Sequence, residues 1–193
     1  MNRRKLTATL AAALLLSGVQ AFAQSSTWTI DPNHSQANFQ TRHLGVSTVR
    51  GTISGIKGTI VWDDANIGKS SVQATLDTTT LNTSTAKRDL HLKSPDFFNV
   101  EKYPTMTFKS TSVTRANGKL QIIGDLTLAG VTKSVTLDVD GPVPPQKGQD
   151  GKLVTGISAT GKISRTDFNF GSKFPSAMIG DDVKFTIDAE AGK

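Results

Sequence analysis

Two arginines that lie close to an aspartate are the side chains best suited to bind a charged ligand. Arg88 directly precedes Asp89, and Arg165 lies two positions before Asp167. Both pairs have apolar neighbours, which indicates charges that are partly removed from water. A guanidinium donates two hydrogen bonds to a phosphate and stays charged, so either arginine could bind an anionic group. Alternatively, each arginine pairs with its neighbouring aspartate and only stabilises the fold.

The three histidines of the chain are the candidates for acid–base and metal chemistry. Asp31, His34 and Ser35 include the residue types of a hydrolase triad, but they are crowded within five positions and no G-x-S-x-G motif accompanies them. No H-x-H or H-x3-H spacing places two imidazoles on one face, as a metal site would need. The sequence therefore predicts neither an enzyme nor a metal site. His43 and His91 are then either polar groups at the mouth of a binding site or structural residues.

Phenylalanines outside the regular pattern are a second set of candidate binding residues. Phe97 and Phe98 are adjacent, and Phe168, Phe170 and Phe174 lie in an irregular segment before the last predicted strand. Such rings could line or cap an apolar tunnel. The alternative, with equal support from these residues, is that they form lids on a solid core.

The elements that must position these side chains are strands. Apolar residues recur at every second position through most of the chain, which is typical of strands buried on one face. In the clearest case, residues 120–128 and 131–139 alternate on either side of Gly130, so they predict a hairpin. Further alternating runs cover residues 28–30, 37–41, 49–54, 56–62, 72–76, 106–110, 157–163 and 183–189.

Eight or more amphipathic antiparallel strands can bury their apolar faces in a sandwich or in a barrel. Glycines inside the runs favour the barrel, because there they relieve strain at bends and leave room inside. These glycines are Gly51, Gly58, Gly124, Gly156 and Gly161. If they are ordinary bulge and turn residues, the core is filled instead. We therefore predict an all-β fold, with an interior that is either filled or able to hold one small ligand.

Residues 83–99 break the alternation and predict one or two short helices near residues 85–99. Thr83 or Ser84 could cap a helix over residues 85–92. Ser94 and Pro95, followed by Asp96, have the order of a cap, a first-position proline and a first-turn acid, so they predict a second helix start. The helix N-terminus at Ser94 could help an arginine to bind a phosphate.

The first residues have the pattern of a secretory signal peptide. A basic start, an apolar stretch over residues 6–19 and the sequence Ala21-Phe22-Ala23 predict a leader over residues 1–23 that is cleaved after Ala23. The alternative is an uncleaved N-terminal anchor. We expect residues 24–193 to form one domain outside the cytoplasm, most simply in a bacterial periplasm.

The composition excludes several classes of protein. The chain of 193 residues has no cysteine, so it has no disulfide, zinc–thiolate site or iron–sulfur cluster. The mean hydropathy of -0.22 excludes a protein with several membrane spans. The net charge is +6, but three of the 22 bases lie in the predicted leader and the others form no cluster. A nucleic-acid partner is therefore not expected.

Four segments resemble the YceI-like family of bacterial periplasmic proteins, in the same order along the chain. They are WTIDPNHSQANFQTRHLGVSTVRGTISGIKGTI, RDLHLKSPDFFNVEKYPTMTFKST, GDLTLAGVTKSVTLDV and SRTDFNFG, and the resemblance runs from about Trp28 to Ala189. Asn169 stands where relatives often have glycine. The resemblance implies an extended, antiparallel, eight-stranded lipocalin-like β-barrel for residues 24–193, which binds a long-chain polyisoprenoid.

The expected ligand is a polyprenyl pyrophosphate or a quinone-like lipid, held for transport, storage or stress response, with no other cofactor. Transient contact with a membrane or with membrane enzymes, and a homodimer, are compatible with this role. Two alternatives remain: a small lipid-directed hydrolase or isomerase, and a ligand-free structural stress-response module. Together with the resemblance, the candidates above predict a lipid-binding set of Phe39, His43, Arg88, Asp89, His91, Phe97, Phe98, Phe108, Arg165, Asp167, Phe168 and Phe170.

Overall fold

The ten alternating segments of the sequence form ten of the eleven β-strands in the computed structural model, which describes residues 25–193, and the short β9 is additional. The strands are β1 (Ser26–Ile30), β2 (Gln36–His43), β3 (Ser47–Ser54), β4 (Lys57–Trp62), β5 (Ser71–Asp77), β6 (Thr105–Ala116), β7 (Lys119–Leu128), β8 (Val131–Asp140), β9 (Gln146–Lys147), β10 (Leu153–Ser164) and β11 (Asp182–Gly192). All of the alternating runs lie within these strands or overlap them. The predicted signal peptide lies outside the described residues.

Eight strands close into an antiparallel barrel in the order β11, β1, β4, β5, β6, β7, β8 and β10, and the pairing of β10 with β11 closes the ring. The hairpin of β2 and β3 lies outside this ring and extends it along the first half of β11, where Phe39 pairs with Phe185. The short β9 pairs with one end of β10. The predicted all-β, eight-stranded antiparallel barrel is therefore confirmed.

The hairpin of β7 and β8 shows how local sequence sets the register. Ala129 and Gly130 both have a positive φ, at 47° and 81°, as a two-residue hairpin turn with the right-handed twist of the strands requires. Leu128 then pairs with Val131, and the pairing continues to Leu120 and Val139. This register turns the buried members of both strands, such as Ile122 and Leu137, to the same inner face.

One α-helix, α1 (Ala86–Lys93), lies between β5 and β6, as predicted for residues 85–92. Thr85 occupies its N-cap position, where Thr83 or Ser84 was expected. The helix start predicted at Ser94 is wrong, because the chain makes a succession of turns there. Short 3-10 helices cover Ile67–Lys69, Thr78–Thr80 and Arg165–Phe168.

The buried residues of the strands form one hydrophobic cluster that runs along the inside of the barrel. Trp28 and Trp62 lie at one end of it, and Phe98 and Phe168 belong to the other end. Among residues 25–193, no helix is long and apolar enough to cross a membrane.

Candidate functional site

A cavity of about 370 Å³ opens inside the half of the barrel that α1 adjoins. Six of the eight ring strands contribute side chains to its wall, all except β1 and β4, and the β2–β3 hairpin contributes the rest of the strand residues. The aliphatic part of the wall includes Ile53, Leu76, Met106, Leu126, Leu128, Val135, Leu137, Ile163, Val183 and Ile187. Such a wall suits an apolar ligand, and its volume falls in the range of small-molecule sites.

Three phenylalanine rings lie against glycines of the barrel wall instead of filling the lumen. A Cβ atom built on Gly51 would collide with Cζ of Phe39, and one built on Gly161 would collide with Cζ of Phe185. The ring of Phe108 covers Gly124 in the same way, at 2.5 Å. A side chain at any of these positions would collide with the ring, so the glycines make room for the three rings in the wall.

An aromatic cluster covers one side of the mouth of the cavity. The rings of Phe97 and Phe174 stack with their centroids 5.2 Å apart, and His91 meets both of them edge-on at 5.1 and 5.5 Å. Phe170 packs edge-on against Phe97 and against Phe98, at 5.3 and 4.7 Å. Contacts of this kind fix the orientation of the rings. All five line the cavity.

Turns after α1, rather than a second helix, bring Phe97 and Phe98 into this cluster. The amide of Phe97 donates to the Ser94 carbonyl at 3.0 Å, and that of Phe98 donates to the Leu92 carbonyl at 2.9 Å. The chain thereby folds back onto the end of α1, and both phenylalanines are buried. Gly171 has a positive φ of 64° and lies directly against the ring of Phe97.

Arg88 reaches the cavity from α1 and is held by the loop before the helix. Its Nε donates to Oγ1 of Thr83 at 2.7 Å, and its Nη2 donates to the Thr83 carbonyl at 2.6 Å and to Oγ1 of Thr85 at 3.1 Å. Asp89 accepts hydrogen bonds from the amide and hydroxyl of the same Thr83. Arg88 and Asp89 are therefore linked through Thr83 rather than paired directly, and Asp89 does not line the cavity.

Arg165 lines the cavity as well, but its donors are used to hold the segment that leads into β11. Nη1 donates to the carbonyls of Phe170 and Gly171 at 3.1 and 2.8 Å, and Nη2 donates to those of Phe174 and Ile179 at 2.7 and 2.9 Å. The side chain is only 2% exposed. This guanidinium therefore fixes the backbone that carries the aromatic cluster.

The acid that contacts Arg165 is Asp181 and not the neighbouring Asp167, so the alternative of a local pair is wrong for this arginine. Oδ1 of Asp181 lies 3.1 Å from Nη2 of Arg165, but off the direction of a hydrogen bond. Asp167 is exposed on the 3-10 helix, and Phe168 is buried in the core beside the cavity rather than in its wall.

Nine of the twelve predicted side chains line the cavity, and Asp89, Asp167 and Phe168 do not. The sequence prediction missed the aliphatic residues of the wall, although their alternation had already assigned them to inward faces. It also missed Arg42 and Met178, which lie at the mouth together with His43. Arg42 ends a run of alternation, and Met178 lies in an irregular segment, so neither carries a local signal.

The electrostatics of the mouth depend on Asp96 as well as on the arginines. Nζ of Lys173 donates to Oδ1 of Asp96 at 2.6 Å, and Nε2 of His91 lies 3.7 Å from Oδ2 of the same carboxylate. The pKa of Asp96 is lowered, first by the hydrogen bond from Lys173 and then by its charge and by His91.

The triad-like residues lie apart from the cavity. Nδ1 of His34 lies 2.7 Å from Oδ2 of Asp31, whereas Oγ of Ser35 bonds to the backbone of Glu190 and not to the imidazole. The Asp31 carboxylate raises the pKa of His34, with a smaller contribution from Glu190. The pKa of Asp31 is lowered, mainly by the Asn33 amide and then by His34.

Asp31, His34 and Glu190 are also the one group among the described residues whose side-chain ligand atoms come close enough to hold a metal ion, within 4.8 Å of one another. All three are at least partly exposed. Local spacing could not have found this group, because Glu190 comes from the last strand. It differs from the three-histidine metal site that was considered from the sequence.

Comparison with known proteins places this chain among barrels of the same kind. The family model described as the YceI-like domain matches residues 28–191. Protein YceI of Escherichia coli O157:H7 is 40% identical over 177 residues, which is 92% of each chain. A crystal structure of the Campylobacter jejuni YceI protein matches with a TM-score of 0.69 and 35% identity, over 79% of this chain and 89% of that one. A polyisoprenoid binding domain from Saccharophagus degradans shares the fold, with a TM-score of 0.62 and 15% identity over 86% of this chain and 97% of its own.

Proposed function

Since the chain belongs to the YceI-like family, we propose that its barrel binds one long-chain polyisoprenoid lipid, such as a polyprenyl pyrophosphate or a quinone-like lipid. The apolar cavity of about 370 Å³ is the observation that carries this proposal. Burial of an apolar chain in such a cavity is favourable by about 25 cal/mol per Å² of surface removed from water. The polyisoprenoid binding domain with the same fold adds support for this ligand class.

The lipid would lie with its chain in the lumen and its polar end at the mouth. The aliphatic wall and the rings of Phe39, Phe108 and Phe185 would contact the chain. Arg88 and His91 are the polar groups of α1 that face the cavity, and they would contact the head group. Arg165 would act as a positioning residue, because its donors already bind backbone carbonyls.

The proposed place of action is the periplasm, after cleavage of residues 1–23. There the protein would carry or store the lipid, and it would load and release it in transient contact with a membrane or with membrane enzymes. N-terminal sequencing of the exported protein tests this part of the proposal. A first residue at Gln24 supports it, and a membrane-bound chain that still begins at Met1 contradicts it.

Native mass spectrometry of protein extracted under mild conditions tests the ligand. An additional mass that matches an isoprenoid lipid supports the proposal. The mass of the bare protein, with none gained after incubation with geranylgeranyl pyrophosphate or geranylgeraniol, contradicts it. Conversion of either compound to a product would point to the lipid-directed enzyme instead. The same spectra show whether two copies associate.

A further inference from the structure

Three apolar side chains project from the mouth of the cavity into solvent. Leu44 and Val46, at the tip of the β2–β3 hairpin, are 56% and 81% exposed, and Met178 is 41% exposed. The Leu44 amide donates to the Met178 carbonyl at 2.9 Å, so the hairpin tip and the segment before β11 lie side by side. Large side chains grouped in this way on a protein surface indicate a contact surface. We call residues 44–46 together with Met178 the apolar rim.

Internal hydrogen bonds satisfy several backbone groups of the apolar rim that would otherwise need water. Nη2 of Arg42 donates to the carbonyls of Gly45 and Val46 at 2.6 and 3.0 Å. The Val46 amide donates to the His43 carbonyl at 3.0 Å. An unpaired backbone group costs several kcal/mol in an apolar medium, so these internal bonds lower the cost of inserting the tip into a lipid layer.

The charge around the apolar rim favours an anionic partner. The β2–β3 hairpin, residues 36–54, contains Arg42 and Arg50 but no aspartate or glutamate. In the neighbouring segment, the charge of Lys173 is already paired with Asp96. A second copy of the chain would bring the same positive charge to this surface, whereas an anionic lipid layer would attract it.

We propose that the apolar rim docks the protein on the surface of an anionic lipid bilayer and there connects the cavity with the membrane. This inference rests on the proposed lipid-binding function and names the surface through which the lipid would pass. His43, Arg42 and Met178 line the cavity and belong to or flank the apolar rim. An isoprenoid chain could therefore move between the bilayer and the barrel along Met178, with Arg42 and His43 beside its polar end.

The double variant Leu44→Ser/Val46→Ser tests the proposal, with Val143→Ser as its matched control. Val143 is also an exposed aliphatic residue, at 53%, but it lies at the opposite end of the barrel. Cosedimentation would measure binding to vesicles of phosphatidylcholine with phosphatidylglycerol and to vesicles of phosphatidylcholine alone. The full mature protein should bind the anionic vesicles more tightly, and added NaCl should weaken binding. We expect the double variant to lose at least about tenfold in affinity, and Val143→Ser to match the wild type.

A second measurement separates this inference from the proposed function. Geranylgeranyl pyrophosphate supplied from cyclodextrin should bind to the wild type and to the double variant equally, whereas its transfer from vesicles should be slower in the double variant. Equal vesicle binding by all three proteins would overturn the docking inference while leaving the lipid-binding function intact. A dimer that the double variant converts to a monomer would also overturn it, because the apolar rim would then be an interface between two copies. Failure of every protein to bind the isoprenoid from cyclodextrin would contradict the function itself.

Discussion

Arg88 and Arg165 occupy similar contexts in the sequence but different positions in the site. Arg165 donates to four backbone carbonyls, so little of its guanidinium is left for a ligand. In contrast, the hydrogen bonds of Arg88 within the described part of the chain use Nε and Nη2. Its Nη1 can therefore donate to a group at the mouth. Of the two, Arg88 is the better candidate for contact with a charged head group.

Replacement of Arg88 by glutamine should weaken binding of a polyprenyl pyrophosphate by about 1.5 to 3 kcal/mol, the range for a hydrogen bond to a charged group. Binding of the corresponding isoprenoid alcohol should change little, because its head group carries no charge. Calorimetric titration of both ligands into the two proteins measures the difference. Thr85→Val is the control, because it removes one partner of Arg88 and keeps the charge. A parallel loss for both ligands, together with a lower melting temperature, would show that Arg88 is structural.

His34 should report the Asp31 contact through its titration. Because Asp31 raises the pKa of His34, the Asp31→Asn variant should lower that pKa, as an NMR titration of the ring can measure. The stabilisation from protonated His34 is complete below its usual unfolded pKa of 6.5 and is lost as the pH rises through the folded value. The contribution of Asp31 is present above its usual pKa of 3.8 and is lost as the pH falls through its lowered folded value. The pair should therefore stabilise the folded state most between pH 3.8 and pH 6.5. An unchanged His34 titration in the Asp31→Asn variant would contradict the contact.

At the scale of the elements, the glycines of the strands determine how much of the lumen is open. Gly161 of β10 faces Phe185 of β11, and the three atoms nearest to a Cβ built there all belong to the phenylalanine ring. The ring is thus the part that has to move when a side chain is added. At Gly156 of the same strand, the nearest atom to a Cβ is the Ala189 carbonyl oxygen, at an ordinary contact distance of 3.5 Å.

The Gly161→Ala variant should therefore move the ring of Phe185 into the cavity and weaken lipid binding. We expect a loss of about 1 to 3 kcal/mol in stability from overpacking, together with a lower affinity for the isoprenoid. Gly156→Ala should leave the affinity unchanged. Melting curves and titrations of the two variants measure both effects. Equal affinity in Gly161→Ala and Gly156→Ala would show that the ring does not limit the space for the ligand.

The elements also show how far a sequence-based prediction can reach. The strands and α1 were predicted because burial on one face leaves a local period in the sequence. At Ser94 the cap pattern predicted a helix. Instead, the amides of Phe97 and Phe98 donate to the carbonyls of Ser94 and Leu92, so the chain folds back and both phenylalanines are buried. The partners of Arg165 extend to Asp181, and no local pattern identifies a contact between such distant residues. Most of the aromatic residues of the site were predicted from the sequence, and the alternation placed the aliphatic wall residues on inward faces. The hydrogen bonds that distinguish the two arginines could not be predicted in this way.

At the scale of the whole molecule, the barrel has an apolar space near each end, and the two spaces have different lining residues. The cavity at the α1 end has Arg88 and His91 at its mouth. A second pocket of about 340 Å³ at the other end is lined by Trp28, Trp62 and other residues, and it lies beside Pro142 to Pro145. Consecutive inward residues of β11 line the two spaces, Ile187 the first and Ala189 the second. A ligand with its polar group at the mouth would fill the first cavity before it could reach the second pocket.

The size of the first cavity should limit the chain length of the bound lipid. Each isoprene unit that enters the cavity should raise the affinity, because it removes apolar surface from water, and units beyond the filled volume should add little. Ala37 is buried and lines this cavity. The Ala37→Leu variant should therefore reach its maximum affinity at a shorter chain and should bind the longest chains at least about tenfold more weakly, which corresponds to about 1.4 kcal/mol.

Ala189→Leu is the matched control for this prediction, because Ala189 is an equally buried alanine that lines the second pocket. Titration of isoprenoid pyrophosphates of increasing length into the three proteins measures the dependence on chain length. If the lipid occupies only the first cavity, Ala189→Leu should follow the wild type and only Ala37→Leu should shift the optimum. If Ala189→Leu alone shortens the optimum, the chain passes through the barrel into the second pocket and the first cavity does not set its length.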